Sequence, residues 1–488
     1  MNKPTRHLAV VVGLMFAVLM GFATYWQFFA AEDLANDARN TRSIYKARET
    51  ERGSIIVAGK AIASSTPVDN NYKYKRVYTD SYMYSNITGY FSVTQNTKTG
   101  LENYANSILD GNDGALFTQN LAEFFTGEQQ HRGGSIELTI NPDVQKAAYT
   151  SLKGKKGAVV ALEPSTGKIL AQVSTPGFDA NTLSTHDKKA AANTFATLDG
   201  DKENRPFYNR AIAGDQYAPG SVFKIVTTAA MLENNESMDE NTMVDAPKSW
   251  RLPGTQTEMH NYGNSSCGDG SGSVTLQTAF IESCNTPFAI ASTNVGAQKL
   301  KETAEKFGFG ITIETPQPVT ASRFPLPASD AETAKASIGQ QDVRVTPMQM
   351  ALVASTVAND GVMMQPHIID KVYDSDMDIT ETTSESVLAR PVSKKTASIL
   401  QKMMIEDVKT GTGKAAAISG VQVAGKTGTA ETGNKKAPNV WFVAYAPADE
   451  PRIALAVVLE NGGEVGNEAT GGKIAAPIAR NIISALLK

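Results

Sequence analysis

Three short groups of residues carry chemistry, and they follow one another along the chain. Ser221-Val222-Phe223-Lys224 sets a hydroxyl and an amine three positions apart. On a helix that spacing brings both to one face, a turn apart. A serine hydroxyl is a weak nucleophile until a base takes its proton. Lysine can be that base only if burial or a neighbouring cation lowers its pKa. Ser283-Cys284-Asn285 adds a second hydroxyl, able to pass a proton between base and leaving group. Its carboxamide can both donate and accept toward a peptide main chain. Lys426-Thr427-Gly428-Thr429 adds a cation and two hydroxyls for a carboxylate, with Gly428 permitting a close approach to the backbone. The N–H groups of Ser221 and Thr429 are candidate oxyanion donors. Singly, each group is an ordinary stretch of sequence. Together and in order they supply a nucleophile, a candidate base, a second hydroxyl and an anion-binding group.

The surrounding pattern predicts the elements that position them. Ala218-Pro219-Gly220 opens a helix from Pro219 to about Asn234. A Gly/Ser/Asn-rich loop covers 261–273, followed by helices at Leu276–Ile281 and Ser283–Val295. Strands are expected at Gly157–Glu163 and Lys168–Val173, joined by Pro164-Ser165-Thr166-Gly167, and at Val421–Glu431, Val440–Tyr445 and Arg452–Leu459. Thr346-Pro347 caps and begins a helix to Ala358, and Ile474–Leu487 is a terminal helix. Strands at both ends with helices between imply an α+β domain on one largely antiparallel sheet. Residues 53–135 lack long helical periodicity and hold most of the eight tyrosines between Tyr45 and Tyr104, which suggests a small β-rich module.

Leu8 to Phe29 is a charge-free run of 22 residues, long enough to span a bilayer. Lys3 and Arg6 precede it and Glu32 and Asp33 follow it, so the N-terminus is expected in the cytoplasm and the remainder outside. A cleavable signal peptide would export the chain equally. Lys+Arg minus Asp+Glu is 46 − 50 = −4 over 488 residues, which excludes a basic nucleic-acid binder. Two cysteines and five histidines without an H-E-x-x-H pattern provide no metal site, and no cofactor is expected. Cys267 and Cys284 lie 17 positions apart in what reads as an exported segment, where they could form a disulfide or remain separate thiols.

The S-x-x-K, S-x-N and K-T-G series resembles that of penicillin-binding proteins and serine β-lactamases. Further segments resemble class B penicillin-binding proteins: Arg52-Gly53-Ser54-Ile55, Gly100-Leu101-Glu102, the run from Thr139 to Gln145, Ala161–Gly167, Ser337-Ile338-Gly339-Gln340, Val345-Thr346-Pro347, Gly425–Glu431 and Trp441-Phe442. The resemblance covers roughly residues 45–485. It implies a penicillin-binding transpeptidase domain, with an antiparallel five-stranded sheet flanked by helices, behind a pedestal and one membrane anchor. The boundaries expected are 1–7 cytoplasmic tail, 8–29 transmembrane anchor, 30–52 stalk, 53–135 pedestal and 136–488 catalytic domain.

The implied activity is D,D-transpeptidation of peptidoglycan stem peptides ending in D-Ala-D-Ala, with β-lactams acylating the same serine. By resemblance Ser221 is the nucleophile and Lys224 its base. Ser283 and Asn285 complete the relay and the amide contact, while Lys426, Thr427 and Thr429 hold the carboxylate. The roughly hundred residues before the catalytic domain are too few for a glycosyltransferase, so the resemblance implies a SEDS-type polymerase and divisome partners, in septal wall synthesis. A β-lactamase is disfavoured because Pro318-Val319-Thr320-Ala321-Ser322 contains no water-activating glutamate. A D,D-carboxypeptidase differs only in using water as acceptor. A non-turnover β-lactam receptor is disfavoured by the single span. Gln341 stands where glycine is expected.

Overall fold

The computed structural model describes residues 3–30, 48–112, 132–213, 216–432, 436–463 and 465–488. The stalk expected at 30–52 falls mainly on 31–47, outside the described residues. Lys3–Thr24 is an α-helix that ends in a π-turn, Tyr25–Phe29. Within Lys3–Gln27 the most apolar 18-residue stretch has a mean hydropathy of 2.2, and none of it is buried. Among the described residues it alone is long and apolar enough to cross a membrane. The helix Pro347–Ala358 shows the contrast: it is equally apolar, but every residue is buried in the core.

The catalytic region is built on a five-stranded sheet. Its order is Ala424–Ala430, Asn439–Ala446, Ile453–Leu459, Gly157–Leu162, Ile169–Thr175, with every pair antiparallel. Side chains alternate across a strand, so each face recruits its own core. Val160, Leu162, Val443, Ala456 and Val458 face the cluster holding Met350, Leu352 and Val353 of Pro347–Ala358. Val159, Ala161, Phe442, Leu455 and Val457 face Val144 and Ala148 of Pro142–Leu152 and Ile482 and Ile483 of Ala476–Leu487. The K-T-G segment lies on the edge strand, open on one side to the helical half.

A second sheet has the order Ile379–Thr382, Ile369–Tyr373, Ser135–Leu138, Ile55–Val57, Lys60–Pro67, Tyr74–Tyr78. The division expected at 135/136 runs through it, because Ser135–Leu138 pairs parallel with Ile55–Val57 on one side and antiparallel with Ile369–Tyr373 on the other. The N-terminal module also contains helices Ser81–Thr88, Gly100–Tyr104 and Asn106–Leu109, more helix than its composition implied. Its centre is an ion cluster. Glu102, fully buried, takes Arg52 Nε at 2.5 Å and Arg76 Nε at 2.6 Å, and accepts from Tyr78 Oη at 3.0 Å. Arg52-Gly53 and Gly100-Leu101-Glu102 are therefore one structural unit. A Cβ on Gly53 would stand 1.7 Å from Gly134 O, so only glycine fits there.

Two helix starts differ from expectation. Gly220–Phe223 is a 3-10 turn and the α-helix begins at Lys224, running to Glu233. Such tightening is common where a first turn lacks intrahelical partners. Ser283 is not helical: its φ is +58°, and the helix begins at Thr286, with Pro287 in its first turn. The left-handed residue reverses the chain between the two helices.

Candidate active site

The three groups converge. Gly220 has φ +57° and packs so closely that a Cβ would meet Thr429 O at 2.7 Å, while a Cβ on Gly339 would stand 2.2 Å from Gly220 O. Gly220 N–H also donates to Gly339 O at 3.0 Å. These contacts press the Ser221 turn against the edge strand. They set the candidate oxyanion donors, Ser221 and Thr429, on adjoining segments. The room at Gly428 is filled by the protein itself: a Cβ there would meet Val222 Cγ1 at 2.9 Å and Pro219 O at 3.0 Å. Trp441, opposite Gly428 in the sheet, donates from Nε1 to Ala218 O at 3.1 Å and holds the approach to the turn.

Lys224 is completely buried. Its Nζ donates to Ser283 O at 2.7 Å and to Asn285 Oδ1 at 2.9 Å. Burial, and then the charge of Lys426, hold its pKa well below the ordinary lysine value. A neutral amine has two N–H bonds and one lone pair. In that form the S-x-N segment takes both N–H bonds and leaves the lone pair as a proton acceptor. Ser283 contacts this amine through its carbonyl, and its left-handed backbone is what turns that carbonyl inward. The carboxamide of Asn285 is engaged at both ends, since Nδ2 donates to His260 O at 3.0 Å.

Lys426 is also completely buried, and among the described residues its Nζ makes a single long hydrogen bond, 3.4 Å to Thr427 O. Burial lowers its pKa and the Asp407 carboxylate opposes that shift. The Phe280 ring lies 5.4 Å from Nζ. A buried cation with so few partners is prepared for an incoming anion. Thr427 is 6% exposed and Thr429 half-buried, on the same face of the strand.

The family model described as penicillin binding protein transpeptidase domain matches residues 157–484, and that described as penicillin binding protein A dimerisation domain matches 52–136. The chain belongs to the penicillin-binding protein transpeptidase family. Peptidoglycan D,D-transpeptidase PbpA of Mycolicibacterium smegmatis is 39% identical over 505 residues, covering 100% of this chain and 99% of that one. The protein of the same name from Mycobacterium tuberculosis is 39% identical over 498 residues, covering 100% and 99%. Among solved structures, the ceftriaxone acyl-enzyme complex of penicillin-binding protein A from M. tuberculosis superposes with a TM-score of 0.86 at 39% identity, over 91% of this chain and 100% of that one.

This penicillin-binding protein also contains supports that its motifs do not reveal. Asn261, 4% exposed, accepts at Oδ1 from Asn285 N at 2.8 Å and Thr286 N at 3.1 Å. It caps the helix Thr286–Val295, which has no cap of its own. The only sequence signal was its place in a polar loop. Cys267 and Cys284 are bonded, Cα atoms 5.9 Å apart, and tie that loop to the S-x-N segment. Gln341 has φ +58°, which accounts for the expectation of glycine there, and its carbonyl accepts from Arg344 Nη1 at 2.8 Å. Replacing both cysteines with alanine is expected to remove about 3 kcal/mol of stability by releasing the loop. Thermal unfolding should show a Tm several degrees lower, with slower acylation below that temperature. An unchanged Tm would assign the loop's order to Asn261 alone.

Proposed function

We propose that this protein is a peptidoglycan D,D-transpeptidase acting through a Ser221 acyl-enzyme, with β-lactams as covalent inhibitors. The observation that carries the reading is the fully buried Lys224 Nζ, held between two acceptors of the S-x-N segment, Ser283 O and Asn285 Oδ1. In this reading Lys224 takes the Ser221 proton as the oxygen attacks the penultimate D-Ala carbonyl. The oxyanion forms against the N–H groups of Ser221 and Thr429. The Ser283 hydroxyl gives its proton to the departing D-Ala nitrogen and takes the one held by Lys224, so that the bond to the terminal D-Ala breaks and the neutral Lys224 amine is restored. Asn285 lies along the peptide, and Lys426, Thr427 and Thr429 receive the terminal carboxylate. An amine of a second stem peptide then attacks the ester and regenerates Ser221.

The N-terminal helix is read as a single-pass anchor, residues 1–7 in the cytoplasm and the pedestal and catalytic regions outside, because Lys3 and Arg6 flank its start. The catalytic region carries no glycan-polymerising module among the described residues, which supports pairing with a SEDS-type polymerase and other division proteins at the septum. The test of the reaction is partition of the acyl-enzyme. With a D-Ala-D-Ala stem peptide and a D-amino acid acceptor, the exchange product should dominate over the hydrolysed peptide at millimolar acceptor. Hydrolysis that is indifferent to acceptor would make the protein a D,D-carboxypeptidase.

A further inference from the structure

Behind the K-T-G strand lies a buried carboxylate that none of the three motifs includes. Asp407 is in the last turns of the helix Lys394–Lys409 and is fully buried. Its Oδ1 accepts from Thr412 N at 2.9 Å and from Thr412 Oγ1 at 3.0 Å, while Oδ2 is buried with no hydrogen-bond partner. Thr412 Oγ1 in turn lies 2.6 Å from Thr427 Oγ1, a hydroxyl of the K-T-G strand. The turn carrying Thr412 cannot relax away. A Cβ on Gly411 would stand 2.4 Å from Asp407 Oδ1 and 2.6 Å from Ile281 O, and one on Gly472 would stand 2.4 Å from Thr412 O. Thr412 N also donates to Ile281 O at 3.1 Å, two residues before Ser283. One turn is thus fastened to the S-x-N side and the K-T-G side of the pocket.

The protons in this row can be counted. An ionised carboxylate only accepts, and each threonine hydroxyl donates once. Thr412 gives its proton to Asp407, so the 2.6 Å contact to Thr427 requires that Thr427 give its proton to Thr412. Thr427 then offers the pocket a lone pair. A ligand carboxylate is also acceptor-only. Three contacts in line, Asp407 to Thr412 to Thr427 to ligand, need three protons, and the two hydroxyls supply two.

We propose that Asp407, acting through Thr412, is a positioning residue that sets the direction of the Thr427 hydroxyl, and that engagement of an anionic ligand by Thr427 is accompanied by protonation of Asp407. The inference rests on the reading of this pocket as the carboxylate site of a penicillin-binding transpeptidase. With a proton on Asp407 every contact in the row has its donor, and Thr427 points its hydrogen at the ligand. The charged group facing Asp407 is Lys426 from the edge strand. Its charge favours the ionised carboxylate. Burial acts the other way and leaves the Asp407 pKa raised.

The test compares penicillin G with its methyl ester as acylating agents of the full-length protein between pH 6 and 9. The ratio of their second-order acylation constants cancels the titration of Lys224, which both compounds need, and retains carboxylate recognition. Thr412→Val removes the competing acceptor and leaves the Thr427 proton free at every pH. At pH 9 its ratio is expected to exceed the wild-type ratio about three- to tenfold, the excess shrinking as pH falls and Asp407 takes up its proton more readily. Thr412→Ser, which keeps the hydroxyl, should follow the wild type. A support with only a structural role would give the opposite sign, so a Thr412→Val ratio at or below wild type at pH 9 overturns the proposal. A Thr412→Ser variant that behaves like Thr412→Val also overturns it. If neither compound acylates the wild-type protein, the transpeptidase reading fails with it, an outcome separate from an unfavourable ratio.

Discussion

Replacing Lys224 with alanine is expected to slow acylation of Ser221 by about 10²- to 10⁴-fold, the range over which a positioned general base contributes. The effect should fall on the acylation step and much less on prior binding. Lys224→Arg should fail almost as completely, because a guanidinium cannot shed its proton at working pH. The pH profile supplies the sign. The neutral amine is the active form, so acylation should fall as pH drops through the lowered Lys224 pKa and level off above it. Lys426 contributes to that lowering. Lys426→Met should therefore raise the Lys224 pKa and move the acid limb toward higher pH, as well as weaken carboxylate recognition. Stopped-flow acylation across pH checks all three. An acid limb that stays in place in Lys426→Met would remove the electrostatic part of the account.

The second large effect is on stability. Glu102→Ala should cost the N-terminal module about 3 to 5 kcal/mol, because it leaves two guanidinium groups buried without a counter-charge. Both contacts are short and Glu102 is fully enclosed. Burial alone would raise the Glu102 pKa, but the charges and hydrogen bonds of Arg76 and Arg52 outweigh it and hold it below the ordinary value. A depressed carboxyl stabilises the fold at pH values above its unfolded pKa of about 4.3. That contribution is lost as pH falls through the lowered folded value. Limited proteolysis and thermal unfolding should find the module melting early in Glu102→Ala, and the difference from wild type shrinking in acid. Equal stability of the two at neutral pH would show that the arginines find water or other partners.

The legible part of the molecule was the part in which local pattern and tertiary demand coincide. The hydrophobic runs of Gly157–Leu162, Asn439–Ala446 and Ile453–Leu459 needed no outside information, because strands covered on both faces read as near-continuous apolar sequence. Thr346-Pro347 announced its helix for an equally local reason: the Thr346 side chain does accept from Gln349 N. The motif residues were found because their types and order resemble the series of the penicillin-binding family. What stayed hidden depends on distance along the chain. Asn261 serves a helix that starts 25 residues later, and Asp407 reaches Thr427 only through Thr412. No periodicity encodes such contacts. The left-handed backbone at Ser283 was hidden too, since serine gives no sign of positive φ, and the helix was consequently expected three residues early. The sheet that joins residues 55–78 to 369–382 was not foreseen, because pairings between distant segments leave no local trace.

The central claim is that Lys224 and Ser221 form an acylating pair that water does not efficiently discharge. Intact mass of the full-length protein after incubation with penicillin G, followed over several hours, tests it most directly, with Ser221→Ala as the control. One adduct of the drug's mass is expected, located on Ser221, persisting for many minutes and absent from the variant. An adduct that forms in Ser221→Ala, or one that clears within seconds, would contradict it.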